Sequence, residues 1–149
     1  MSTDRATSPD ILDGDRTMRF FTVQSAERSL PLVKRIAADI VHDFGKLMEL
    51  RDRRHSLADT TPTEETDRLR TEIEHLADRL NGLQQELVEI GCELKDWAMG
   101  LIDFPAVHEG RRVWLCWRPG EEKITHWHEW EEGFSGRRPI GPSFEPART

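Results

Sequence analysis

After a polar opening, apolar residues begin to recur with a helical period. Leu30, Val33, Ala37, Ile40, Phe44 and Leu47 step alternately by three and four, the spacing that keeps side chains on one face of a helix. Leu32, Ile36, Val41 and Met48 widen that stripe. Thr22 is a suitable cap, because its hydroxyl can accept from an otherwise orphan first-turn amide. Pro31 lies too deep to be a first-turn residue. It lacks an N–H and crowds the preceding turn, which predicts a kink or a break near Ser29. Arg51, Arg53 and Arg54 fall where positive charge complements the end of the helix dipole.

A polar loop, Ser56 to Asp59, precedes Thr61-Pro62-Thr63-Glu64, which reads as a capping box with proline at the first helical position. The second helix carries Leu69, Ile73, Leu76, Leu80, Leu83, Leu87 and Ile90. This is an unbroken four-three repeat with a charged outer face, and it ends at Gly91. A short loop between two such helices predicts an antiparallel, coiled-coil-like hairpin over about 22–91. The second helix has a narrow seam, enough for one neighbour. The first has a wide stripe that needs more cover. Either the C-terminal part or a second copy of the chain must supply it, and the expectation is a homodimer or a protein partner through the first helix.

From Gly91 the period changes to that of strands. Cys92–Lys95, Leu101–Phe104, Arg112–Arg118 and Lys123–Trp130 are strand-like, separated by turn signals at Glu109-Gly110 and Pro119-Gly120. The predicted class is α+β: a long helical hairpin followed by a small antiparallel β-meander over about 92–134. Residues 20–140 make one domain, with a disordered tail over 1–19 and a loose end over 141–149.

Composition narrows the function classes. At 149 residues the chain is too short for an eight-fold barrel, which needs roughly 250. The formal net charge of −7 argues against an electrostatic nucleic-acid binder. Arg111, Arg112, Arg137 and Arg138 could still form a local basic patch among the five tryptophans. Two cysteines form no secreted-type disulfide framework. With no signal-peptide pattern and no long apolar span, the expectation is a cytoplasmic protein with no membrane segment.

Chemistry is concentrated in the C-terminal third. His126 and His128 are two apart, so on a strand both point to one face, where a transition metal such as zinc could bind them with Asp103. Cys116 depends on register. If Val113, Leu115 and Trp117 share the face of Ile124, both histidines lie on that apolar face and Cys116 lies behind it. That register is favoured, and Cys116 is the less favoured ligand. The bland alternative is half-buried imidazoles satisfied by backbone or carboxylate groups. Arg137 is expected to anchor the last segment to Asp103 or Glu121, and Trp127 to serve as a ligand or structural anchor. Trp97, Trp114, Trp127 and Arg137 could also line a small-molecule pocket between hairpin and sheet. No phosphate loop, dinucleotide turn, nucleophile elbow or complete zinc-protease motif is present. The leading functional expectation is a non-catalytic interaction or assembly module. Metal binding through His126, His128 and Asp103 is the alternative.

One string of residues goes further. It runs Phe21-Thr22, Leu30-Pro31, Lys95-Asp96, Gly100-Leu101-Ile102-Asp103-Phe104-Pro105, Leu115-Cys116-Trp117, Gly120-Glu121, Trp127-His128, Gly133-Phe134, Gly136-Arg137 and Pro139-Ile140. From about Phe20 to Ile140 the chain resembles a small bacterial family known as domain of unknown function 2203. The family name implies no activity, substrate or cofactor. Members often carry acidic residues just after the Phe-Thr start. Gln24 and Ser25 stand there instead, which predicts a weaker capping box on the first helix.

Overall fold

The computed structural model describes residues 19–59 and 61–144. Of the tails expected over 1–19 and 141–149, residues 1–18 and 145–149 lie outside the described residues. Helix α1 spans Val23–Ser56 and helix α2 Glu64–Ile90. At 1.5 Å per residue they are about 50 and 40 Å long. Five strands follow: β1 Glu93–Asp96, β2 Leu101–His108, β3 Arg111–Trp117, β4 His126–Glu129 and β5 Arg138–Pro139. They pair in sequence order, each antiparallel to the next. This is the expected hairpin and meander, with β5 lying beyond the predicted end of the sheet.

Local chemistry explains most helix ends, and two expectations are corrected. Of the kink or break expected near Ser29, the break does not occur: α1 runs through Pro31. Pro31 is exposed, so the carbonyl it leaves unbonded can face water. The first-helix capping box also forms despite the missing carboxylate: Ser25 N–H donates to Thr22 Oγ1 at 3.0 Å, and Thr22 N–H donates to Ser25 Oγ at 3.0 Å. A hydroxyl serves as the reciprocal acceptor that glutamate would supply. On α2 the cap is Thr63 rather than Thr61, with Thr66 as its partner, which puts Pro62 before the helix. Gly91 ends α2 in the left-handed conformation, at φ 109°, as its position predicts.

The wide stripe on α1 finds its cover within the chain. Val33, Ile36, Ala37 and Ile40 are buried in one core with Ile102, Phe104, Val113, Leu115, Trp117 and Trp127 of the sheet. Of the four residues that widen the stripe, only Leu32 is exposed. The sheet therefore meets the demand that suggested a second copy. Within the hairpin, Arg79 Nε and Nη2 donate to Asp43 Oδ2 at 3.0 and 2.6 Å. Burial raises the Asp43 pKa, but the hydrogen bonds from Arg79 and His42 outweigh it and hold the carboxyl below its usual range. A buried charge whose partner on the other helix is Arg79 penalises helix pairings that would part the two.

The hairpin docks on the sheet through close contacts. Phe44 stacks on Trp97 at 6.1 Å between centroids, and Ile124 N–H donates to the Glu27 carboxylate at 3.2 Å. Gly100 sits in the turn before β2 at φ +73°, where a β-carbon would lie 2.8 Å from Val41 Cγ2 and 3.1 Å from Pro119 Cγ. Gly100→Ala is therefore expected to cost at least about 2 kcal/mol, from left-handed strain and overpacking together. Urea unfolding followed by circular dichroism would show this as a lower midpoint with an unchanged slope. The chain past Gly141, expected to be loose, instead forms a short turn at Pro142–Phe144. Phe144 stacks on His108 at 4.0 Å.

Candidate functional site on the outer face of the sheet

The register differs from the favoured expectation. Cys116 pairs with His126, and Leu115 with Trp127. Paired residues share a face, so Trp127 joins Leu115 toward the helices, and both histidines lie on the outer face with Cys116. The expectation counted alternation from Ile124, but the strand starts only at His126. Ile124 is held in irregular chain by Glu27, so its burial says nothing about the parity of the strand. On the other side of β3, Cys116 pairs with Asp103. Asp103, Cys116 and His126 thus form one row across three strands.

His128 sits two residues along from that row, opposite Trp114. Its ring reaches back across β3, and Nε2 lies 2.9 Å from Asp103 Oδ2. Nδ1 lies 2.9 Å from the Glu129 carbonyl, so a protonated imidazole can donate at both nitrogens. His128, Asp103 and Cys116 are only 1%, 2% and 1% exposed. Burial pulls the His128 pKa down. The hydrogen bonds with Asp103, Cys116 and the Glu129 carbonyl, together with the Asp103 charge, outweigh it and raise the pKa to about 10. The imidazolium–carboxylate pair ties β2 to β4 over the small side chain of β3.

One donor atom from each of Asp103, Cys116 and His128 lies within 4.8 Å of the others. His126 does not converge with them. Its Nδ1 is 2.9 Å from Thr125 Oγ1, and its pKa is lowered by burial and then by the charge of Arg137. The structure thus gathers Asp103 and His128, replaces His126 with Cys116, and puts Trp127 on the opposite face.

Beside the cluster, Arg137 donates from Nη1 and Nη2 to the Glu121 carboxylate at 2.9 and 3.0 Å, and from Nη2 to the Cys116 carbonyl at 3.2 Å. Of the two anchors expected for Arg137, the structure has Glu121. Burial raises the Glu121 pKa, yet Arg137 and the Arg118 N–H hold it below the ordinary carboxylate range. The guanidinium also lies over the Phe134 ring at 4.6 Å.

A family model described as "Uncharacterized conserved protein (DUF2203)" matches residues 19–140. The chain belongs to the DUF2203 family. No curated protein and no solved structure matches it. Six of the motif residues that carry the sequence resemblance meet on or beside the outer face of this DUF2203 chain: Asp103, Cys116, Glu121, His128, Phe134 and Arg137.

The imagined tryptophan pocket does not form. Trp97 packs on α1, Trp127 lies in the core, and Trp114 is on the outer face. Trp114 instead stacks on Trp130 at 4.0 Å, with the Lys95 ammonium 3.9 Å from the Trp114 ring and Arg112 4.6 Å from the Trp130 ring. Sequence reading missed this four-layer stack. Trp114 lies between Val113 and Leu115 and Trp130 between Glu129 and Glu131, so nothing local signals that the two rings meet or that Lys95 and Arg112 cover them. A separate cleft of about 280 Å³ lies between α1 and the turn after β3, with Lys34, Ala38, Trp117 and Pro119 among its walls. The arginines considered for a basic patch are engaged too: Arg111 with Glu129, Arg138 with Glu129 and Glu132, and Arg137 with Glu121. Among the described residues no helix is long and apolar enough to cross a membrane.

Proposed function

We propose that this protein is a non-catalytic interaction module, in which the sheet and the base of the hairpin form a folded body that presents the far half of the hairpin to a protein partner. The observation that carries this reading is how burial thins along α1. From Val23 to Asp43, Ala26, Leu30, Val33, Ile36, Ala37, Ile40 and Asp43 are buried; from Phe44 to Ser56 only Leu47 and Leu50 are. Buried positions thus come about once per turn in the first segment and about once in two turns in the second, so the first has the core around it and the second little more than its hairpin neighbour. The far segment is about 20 Å long. Its surface carries Lys46, Glu49, Arg51, Asp52, Arg53 and Arg54, all exposed. An arm of this kind adds little to the core and offers a rigid, charged surface for recognition.

Photo-crosslinking in cells tests the arm directly, with a photoreactive residue at Lys46 or Glu49 and, as a control, at Arg28 on the exposed base of α1. The expected result is a discrete adduct from the arm positions and none from Arg28. Sedimentation velocity of the purified chain then shows whether that partner is a second copy. A monomer at high concentration, with no adduct from either arm position, would remove the interaction reading.

A further inference from the structure

We propose that Asp103, Cys116 and His128 form a binding site for one divalent transition-metal ion of the zinc class. The three donors are a carboxylate oxygen, a sulfur and an imidazole nitrogen, and each donor atom lies within 4.8 Å of the other two. A tetrahedral ion with bonds of 2.0–2.3 Å separates its ligands by about 3.3–3.8 Å. Asp103 Oδ2 and His128 Nε2 are closer than this, at 2.9 Å, so seating an ion needs side-chain shifts of about 1 Å. The three residues come from β2, β3 and β4, so the backbone that positions them is already set by the sheet.

Three features favour an ion here. The first is charge. Binding releases the Cys116 thiol proton and the His128 imidazolium proton to solvent; the thiolate and the carboxylate then cancel a divalent cation beside a neutral imidazole, so the filled cluster is neutral, as burial at 1–2% exposure requires. The second is the outer shell. The Glu129 carbonyl lies 2.9 Å from His128 Nδ1, which fixes the ring with Nε2 toward the cluster, the arrangement commonly found behind metal-bound histidine. The third is that Arg137, which reaches the Cys116 carbonyl, is already neutralised: it is bound to Glu121 through two hydrogen bonds. The mixed nitrogen, sulfur and oxygen set suits zinc or cobalt better than magnesium or calcium, which prefer oxygen alone. Three protein donors leave the fourth tetrahedral position to a water.

The test uses the untagged full chain, stripped with chelator and titrated with Co²⁺. The expected result is saturation at one ion per chain, with a near-ultraviolet sulfur-to-cobalt band and the visible bands of tetrahedral cobalt, all bleached by an equivalent of Zn²⁺. Cys116→Ser should lose the sulfur-to-cobalt band, whereas Cys92→Ser and His126→Ala should keep it. Two results overturn the site: no sulfur-to-cobalt band from the wild-type chain at millimolar Co²⁺, or a band that follows Cys92 rather than Cys116. If Cys116→Ser does not fold, the wild-type and Cys92→Ser spectra decide the question between them.

Discussion

Replacing Asp103 by Ala is expected to destabilise the metal-free protein by about 3–5 kcal/mol, the usual cost of removing one partner from a buried ion pair. Asp103 and His128 are both shielded from solvent, and their 2.9 Å contact spans from β2 to β4. Without the carboxylate, the imidazole must keep its proton in a low-dielectric site or release it and forfeit a charge-assisted hydrogen bond. Asp103→Asn keeps an acceptor and should cost less, about 1.5–3 kcal/mol. A stability of roughly 5–15 kcal/mol is typical of a whole domain, so the alanine variant should be close to unfolded at moderate urea. A loss below about 1 kcal/mol would show that the pair is effectively solvated.

The same pair sets a pH dependence with a definite sign. The His128 pKa is raised from 6.5 to about 10 in the folded chain, so the folded state holds the proton more tightly than the unfolded state does. Its contribution is complete below about pH 6.5 and is lost as pH rises through about 10. The difference in unfolding free energy between wild type and His128→Gln should therefore shrink across that window. A difference that stays flat, measured by urea unfolding in chelator-containing buffers, would contradict a protonated His128.

The neighbouring residue gives the second large effect for a different reason. Phe104→Ala is expected to cost about 3–5 kcal/mol, through lost transfer energy and the cavity left behind. Phe104 has no exposed surface. It meets Phe21 edge-on at 5.1 Å, just where the Phe21 N–H donates to the Pro105 carbonyl at 2.7 Å. The residue thus lies where the segment leading into α1 meets the sheet. The variant should show a lower urea midpoint for the whole body, with all probes moving together. A cost under about 1.5 kcal/mol would mean that neighbouring side chains collapse into the space. Asp103 and Phe104 are adjacent in sequence, yet one holds the outer face by charge and the other the inner face by packing.

Family membership bears on both faces. The motifs around Asp103, Cys116, Glu121, His128 and Arg137 were visible in the sequence, but their meeting point was not. Asp103 and His128 were named as partners because the chemistry of their side chains is suggestive at any distance. Cys116 is the less favoured ligand in the sequence because Ile124 looks like part of a strand that it does not join. The Asp43–Arg79 bridge went unremarked because an acidic residue in an apolar stripe looks like an interruption until its partner on the other helix is known.

Two helices, their caps at Thr22 and Gly91, and the change to strands after it follow from local rules that act within one or two turns. The periods of three-four and of two are imposed by backbone geometry, so they can be read along the chain without knowledge of the rest. Tertiary structure alone decided that the sheet, rather than a second copy, covers the broad side of α1, and that Cys116 rather than His126 stands with Asp103 and His128. Both depend on contacts between residues far apart in sequence, and a slip of one position in a strand exchanges its two faces. Which face turns to the helices is settled by the packing of the whole body, with Trp127 and Leu115 in one core with Val33 and Ile40 of α1, and not by any short stretch of the chain.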